Sequence, residues 1–116
     1  MKTFEVKSEQ RGDVVLVKLS GELDISSAPK VEDELARVEP DRPERIVLDL
    51  RNLAFMDSTG LRLLIAADTR ARQQARRLTI VKGPETVQRV FRITRLEERL
   101  EIVDDVPADG TVDAAT

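Results

Sequence analysis

The run Ile46-Val47-Leu48-Asp49-Leu50 constrains this chain more than any other stretch. Its apolar residues follow one another without the alternation of a half-wet strand, so it reads as a strand covered on both faces. Downstream, Leu61-Arg62-Leu63-Leu64-Ile65-Ala66-Ala67 reads as a buried helix. Between the two, Met56-Asp57-Ser58-Thr59-Gly60 makes a strand-to-helix turn with hydroxyls at the mouth of the helix. Strands that alternate with helices in this way imply a sheet with parallel central strands and helices packed on it.

The remainder of the 116 residues supplies the neighbours. Phe4-Glu5-Val6-Lys7 alternates as a half-exposed strand does, Arg11-Gly12-Asp13 is a turn, and residues 14–19 are a mostly apolar strand. The short connection makes these two strands an antiparallel hairpin. Ser20-Gly21-Glu22-Leu23-Asp24 breaks the second strand. Ser26 or Ser27 then caps a helix with Pro29 in its first turn and Val31, Leu35 and Val38 as its apolar stripe. The helix after the central turn runs from Ser58 or Thr59 to about Ala75, and Arg70, Arg72, Arg76 and Arg77 on its second half read as a solvated face. Leu78-Thr79-Ile80-Val81 is another strand, Pro84 opens a helix with Val87, Val90, Phe91 and Thr94 inward, and residues 100–103 lead to a last strand.

The expected fold class is therefore α/β. It is a single domain over residues 1–103, with a mixed sheet, an N-terminal antiparallel hairpin and helices packed on the sheet. Residues 104–116, acidic and small, are expected as a frayed or partly helical tail. Aromatic residues are scarce, so the core is aliphatic, with Phe4, Phe55 and Phe91 as its large pieces. Loops that follow parallel strands gather at one edge of the sheet, where sites of open sheets lie. Loops 21–26 and 51–58 both belong to that edge.

Absent residue types exclude whole classes of chemistry. The chain has no cysteine and no histidine, which removes disulfides, thiol nucleophiles, Ser-His systems and His-ligated zinc. No glycine-rich phosphate cradle is present. The formal charge of −3 is uneven: four aspartates and no base lie between 104 and 116, so the rest stands near +1, without a general case for nucleic acid binding. No segment nears the ~18 apolar residues of a membrane span. The first residues enter a strand pattern with no signal-peptide core, which fits a cytoplasmic protein.

What remains is the central turn. Ser58 or Thr59 can sit at the N-cap of the helix, accepting from free amides of its first turn, with Asp57 just outside adding negative charge at the positive end of the helix dipole. A pair of carboxylates, Asp24 and Asp57, could hold a magnesium ion or act as acid and base. An Asp at the end of the third strand also suggests a phosphate-accepting receiver domain, but the acidic pair and the late lysine such domains want are missing. On the residues alone, Ser58 as helix cap and Ser58 as regulated hydroxyl stay open.

Three stretches together carry a resemblance: Gly21-Glu22-Leu23-Asp24 followed by Ala28-Pro29, then Ile46-Val47-Leu48-Asp49-Leu50, then Met56-Asp57-Ser58-Thr59-Gly60-Leu61. Over residues 3–103 the chain resembles the STAS family, and within it the free-standing bacterial anti-sigma factor antagonists. The resemblance implies a switch and not an enzyme, with no cofactor and no metal. It implies that Ser58 is phosphorylated by an anti-sigma factor of the serine-protein-kinase type, that the unphosphorylated form binds that partner, and that a PP2C-type phosphatase resets it. The implied partner-binding residues are Asp24, Asp57, Ser58, Thr59, Gly60 and Arg62, on a monomer that touches neither nucleic acid nor membrane. A phosphate on Ser58 would meet the positive end of the helix dipole, so it should act on the interface without unfolding the domain. Many members have Gly where this chain has Arg62, which adds a positive charge one turn beyond Ser58. The alternative is a constitutive STAS binding module, for example in a lipid-transport or stress-signalling complex, in which Ser58 only caps the helix.

Overall fold

A computed structural model describes residues 3–107. The strands are β1 (Glu5–Arg11), β2 (Val14–Leu23), β3 (Arg45–Met56), β4 (Arg77–Val81) and β5 (Glu101–Val103). The helices are α1 (Ala28–Val38), α2 (Ser58–Gln73) and α3 (Glu85–Thr94), with 3-10 turns at Glu39–Asp41 and Leu96–Glu98. The strands lie in sequence order in one five-stranded sheet. β1 pairs with β2 antiparallel, and β2 to β5 pair in parallel. This is the mixed sheet the sequence leads one to expect.

Strand periodicity decides which side chains meet the helices. Val15, Val17, Leu19, Ile46, Leu48, Leu50, Leu78 and Ile80 join the inner faces of all three helices in one core cluster. Phe91 is its largest fully buried side chain. The alternate residues Leu16, Val47 and Val81 form a smaller cluster on the opposite face, closed by Val14, Val103 and Val106. The sheet is thus covered on both sides at its centre, as the unbroken apolar runs require. The acidic segment begins as part of this second layer: Val106 packs there, and Asp104 pairs with Lys82 at 3.0 Å. Residues 108–116 of the expected tail lie outside the described residues.

Two strands run further than the sequence pattern predicts. Residues 20–23 continue β2, and residues 51–56 continue β3. Pairing survives because the register slips twice, between Lys18 and Ser20 and between Gly21 and Glu22. Gly21 makes the bend possible with a φ of +103°, and a Cβ there would stand 3.1 Å from the Phe4 Cα. Pro84 is the N-cap of α3 and not its first residue, and Thr94 is exposed at its end, not part of the inner face.

Charged residues on the second face are networked. Arg45, buried, donates to Thr79 Oγ1 at 2.8 Å and to Glu101 Oε2 at 2.9 Å. Thr79 Oγ1 donates in turn to Glu101 Oε2 at 2.9 Å, and Arg77 reaches the same oxygen at 2.6 Å. β5 has only three residues, so this cluster ties an otherwise thin edge strand to β3 and β4. Burial pushes the Glu101 carboxyl up, but the hydrogen bonds from Arg77 and Thr79 and the charge of Arg77 outweigh it, leaving the pKa below the ordinary value. Asp49, buried on β3, is likewise lowered by Arg51 against burial.

Because both carboxyls titrate lower in the folded state, their contribution is complete above the ordinary carboxylate range and is lost as pH falls through the lowered values. Urea unfolding between pH 7 and pH 3 should therefore show a falling midpoint. Glu101→Gln should cost about 1–2 kcal/mol at pH 7 and flatten that acid limb. An acid limb unchanged by the substitution would remove Glu101 from the account.

Candidate functional site

The parallel ends of β2 and β3 build the site. Leu23 pairs with Met56, and the Asp57 amide donates to the Leu23 carbonyl at 3.2 Å, so the loop after β2 and the turn before α2 lie side by side. Both sit at the carboxyl edge of the sheet, as the order of strands and helices implies.

Asp57, and not Ser58 or Thr59, caps α2. Its Oδ1 accepts from the Thr59 amide at 2.9 Å and from the Gly60 amide at 3.2 Å, and its carbonyl accepts the first helical bond from Leu61. A carboxylate in that position satisfies two orphan amides and also meets the positive end of the helix. Ser58 is the first residue of the helix; it is exposed, and its hydroxyl makes no hydrogen bond among the described residues. The reading of Ser58 as a mere cap is overturned, since the role is filled by its neighbour.

Gly60 is buried against the strand ends. A Cβ there would lie 2.7 Å from Met56 Cγ and 2.8 Å from Leu23 Cγ. The glycine lets the helix start close to the sheet, which holds Asp57 and Ser58 at the rim.

Asp24 is a brace in the adjoining loop. Its Oδ1 accepts from the Ser26 hydroxyl at 2.8 Å and from the amides of Ser26 and Ser27 at 3.0 and 3.2 Å. The Ser26 hydroxyl, helped by both amides and opposed by burial, holds the carboxyl below its ordinary pKa. Ser27 stands at the N-cap position of α1, yet its hydroxyl donates back to the Glu22 carbonyl at 2.7 Å and accepts from the Asp24 amide at 2.9 Å, so it closes the loop and does not cap the helix.

Two large apolar side chains in the segments that build this edge are exposed. Ile25 is 76% exposed, and Phe55 is 46% exposed. The sequence reading places Phe55 in the core, and it is wrong for a specific reason. Burial along this part of β3 falls at Leu50, Leu53 and Met56, every third residue, because the slipped pairing with β2 breaks strict alternation. Nothing in local periodicity signals that slip.

Arg62 is exposed one turn beyond Ser58 and forms no hydrogen bond or ion pair among the described residues. Of the arginines further along, Arg72 and Arg77 are exposed, as a solvated face requires, although each also holds an acidic partner, whereas Arg70 is half-buried and Arg76 is buried. Arg70 pairs with Glu39 at 3.0 Å, Arg72 pairs with Asp68 at 2.8 Å and donates to the Arg99 carbonyl, and Arg77 pairs with Glu101. Arg76 is buried and donates to the Pro43 carbonyl and to Gln74 Oε1. Arg70 and Arg72 bind the far end of α2 to its surroundings; Arg76 and Arg77 are not on the helix as expected, but in the turn after it and at the start of β4.

Surface cavities of ≈ 450 Å³ beside the Glu39–Asp41 turn and ≈ 570 Å³ between β1 and α1 are lined by other residues. Among the described residues no three carboxylates gather as a metal site. The parallel strands add in one direction, so the topology has no reversal point at which a ligand crevice would open. The arrangement offers a free hydroxyl with its neighbouring carboxylate already engaged, which suits accepting a group from another protein better than catalysing a reaction.

Comparison with known proteins gives the family and the fold. The family model described as STAS domain matches residues 5–108. The chain is 33% identical over 86 residues to an anti-sigma-B factor antagonist of Staphylococcus aureus, covering 74% of this chain and 80% of that protein. Its fold superposes on the crystal structure of an anti-sigma factor antagonist from Mycobacterium paratuberculosis with a TM-score of 0.82 at 25% identity, covering 90% and 88% of the two chains. Unphosphorylated SpoIIAA, also an anti-sigma factor antagonist, shares the fold with a TM-score of 0.71 at 22% identity, covering 89% and 90%.

The division of labour at the turn predicts opposite results from adjacent substitutions. Asp57→Ala should lower unfolding stability by about 1 kcal/mol, the cost of a lost cap. Ser58→Ala should change it by less than about 0.5 kcal/mol, as for an exposed residue without a partner. Gly60→Ala should cost about 1–3 kcal/mol through overpacking against Leu23 and Met56. Thermal or urea melts of the three variants measure this, and a Ser58→Ala loss equal to that of Asp57→Ala would restore the cap role to the serine.

Proposed function

Because the chain belongs to the STAS domain family, we propose that it acts as an anti-sigma factor antagonist switched at Ser58. The carrying observation is the exposed Ser58 hydroxyl, unbonded at the first position of α2 while Asp57 does the capping. Unphosphorylated, the carboxyl edge docks on an anti-sigma factor of the serine-kinase type and takes it away from its sigma factor. In the switching step Ser58 Oγ bonds to the γ-phosphorus of ATP held by that partner. The bond from that phosphorus to the bridging oxygen breaks, ADP leaves, and the hydroxyl proton passes to a base of the kinase. A PP2C-type phosphatase returns the serine. The protein is a regulatory binding protein working in the cytoplasm as a monomer.

The surface supports this reading. Ile25 and Phe55 offer apolar anchors in the segments that build this edge. Asp24, Asp57, Thr59, Gly60 and Arg62 complete the partner footprint, although Gly60 and Asp24 serve it mainly by shaping the edge. A phosphate beneath a closed interface adds bulk and a buried charge for which the partner surface holds no match, costing several kcal/mol and therefore two or more decades of affinity. The constitutive-module alternative relied on a capping role for Ser58, and Asp57 occupies that role.

Calorimetric titration of the cognate anti-sigma factor should give Ser58→Ala wild-type affinity and Ser58→Asp at least ~100-fold weaker binding. Phe55→Ala should weaken binding about tenfold with the fold intact. Site-mapping mass spectrometry on protein from its native cells should find one phosphate, on Ser58. Wild-type affinity of Ser58→Asp, together with an unmodified Ser58 under all growth conditions, would defeat the switch.

A further inference from the structure

We propose that Arg62 is the internal counter-ion of a phosphate on Ser58. This rests on the reading of Ser58 as the acceptor and adds to it where that phosphate goes. At a bare helix N-terminus the answer would be the free amides of the first turn. Here Asp57 has already taken the amides of Thr59 and Gly60, at 2.9 and 3.2 Å. A phosphate on the next residue finds those donors spent and a carboxylate beside it.

Arg62 is placed to answer that charge. It stands four residues after Ser58 in α2, where side chains share a face about 5–6 Å apart at Cβ. Side chains of a helix lean toward its N-terminus, so the later residue of such a pair covers the earlier one. Both residues are exposed, so no packing bars their meeting. Arg62 is also uncommitted. Among the described residues ten of the fourteen arginines hold an acceptor or an acidic partner, Arg45, Arg51 and Arg70 included, whereas Arg62 holds none there. A planar guanidinium matches phosphate oxygens with two parallel donors.

The pair turns the phosphate along the outer face of α2 and away from Asp57. It fixes one conformation of the phosphorylated state and offsets part of its charge within the protein. The other acidic groups on this edge act in the opposite sense: Asp57 heads α2, and Asp24 lies in the loop after β2. Glu85, at the start of α3, is held by Arg92.

The test uses the full chain with phosphoserine installed at position 58 during translation, so no kinase is needed. Phosphorus NMR titration then reads the second ionisation of the phosphate. Arg62→Gln should raise that pKa by about half a unit relative to the parent chain, and Arg62→Lys should restore most of the shift. Equal titration of the parent and Arg62→Gln chains would overturn the pairing. Site mapping in cells decides separately whether Ser58 is the natural acceptor, so failure of that reading is distinguishable from failure of this one.

Discussion

The first turn of α2 sits against the ends of β2 and β3 without space for a methyl group between them. The rest of the site follows from that contact. Gly60 admits the approach, the Asp57 amide bonds to the Leu23 carbonyl, and the Asp57 carboxylate turns inward onto the helix amides. Ser58 is the first residue left over. It faces outward because its neighbours on both sides are committed to holding the junction. This geometry leaves its hydroxyl dispensable to the fold, as the switch proposed at this serine requires.

Rigidity is supplied from both faces of the sheet. The helices close one side with an aliphatic core around Phe91. The other side is held by a small valine and leucine cluster bordered by the Arg45, Thr79 and Glu101 network. The far end of α2 is bound through Arg70 and Arg72, and the turn after it through Arg76. With the far end anchored and the near end wedged, α2 presents Ser58 as a fixed feature of the edge. That suits a switch in which the interface changes and the domain does not. Exposed apolar side chains at Ile25 and Phe55 suit contact with a protein partner.

Much of this was legible in the residues because the forces involved are local or repetitive. The unbroken run 46–50 announced a doubly covered strand, and the stripe Val31, Leu35, Val38 announced the face of α1. The turn 56–60 was recognisable as a helix start, since capping residues act within three positions of themselves. The order of strands and helices was enough for the parallel sheet and for the edge on which the site lies.

Other features depended on partners distant in the sequence. Which of Asp57, Ser58 and Thr59 caps α2 turned on the bond between Asp57 and Leu23, which sets where the helix begins. The exposure of Phe55 came from a register slip against Glu22, invisible to periodicity along β3 alone. The arginines at and just beyond the end of α2 became staples only because Glu39, Pro43 and Arg99 fold back on them from other elements. The sequence by itself determined the element types, the α/β sheet and the place of the serine at a helix mouth, because backbone periodicity and capping are short-range. Only the tertiary structure decided that Ser58 is free and Asp57 bound, because that choice is made by the packing of α2 on the ends of β2 and β3.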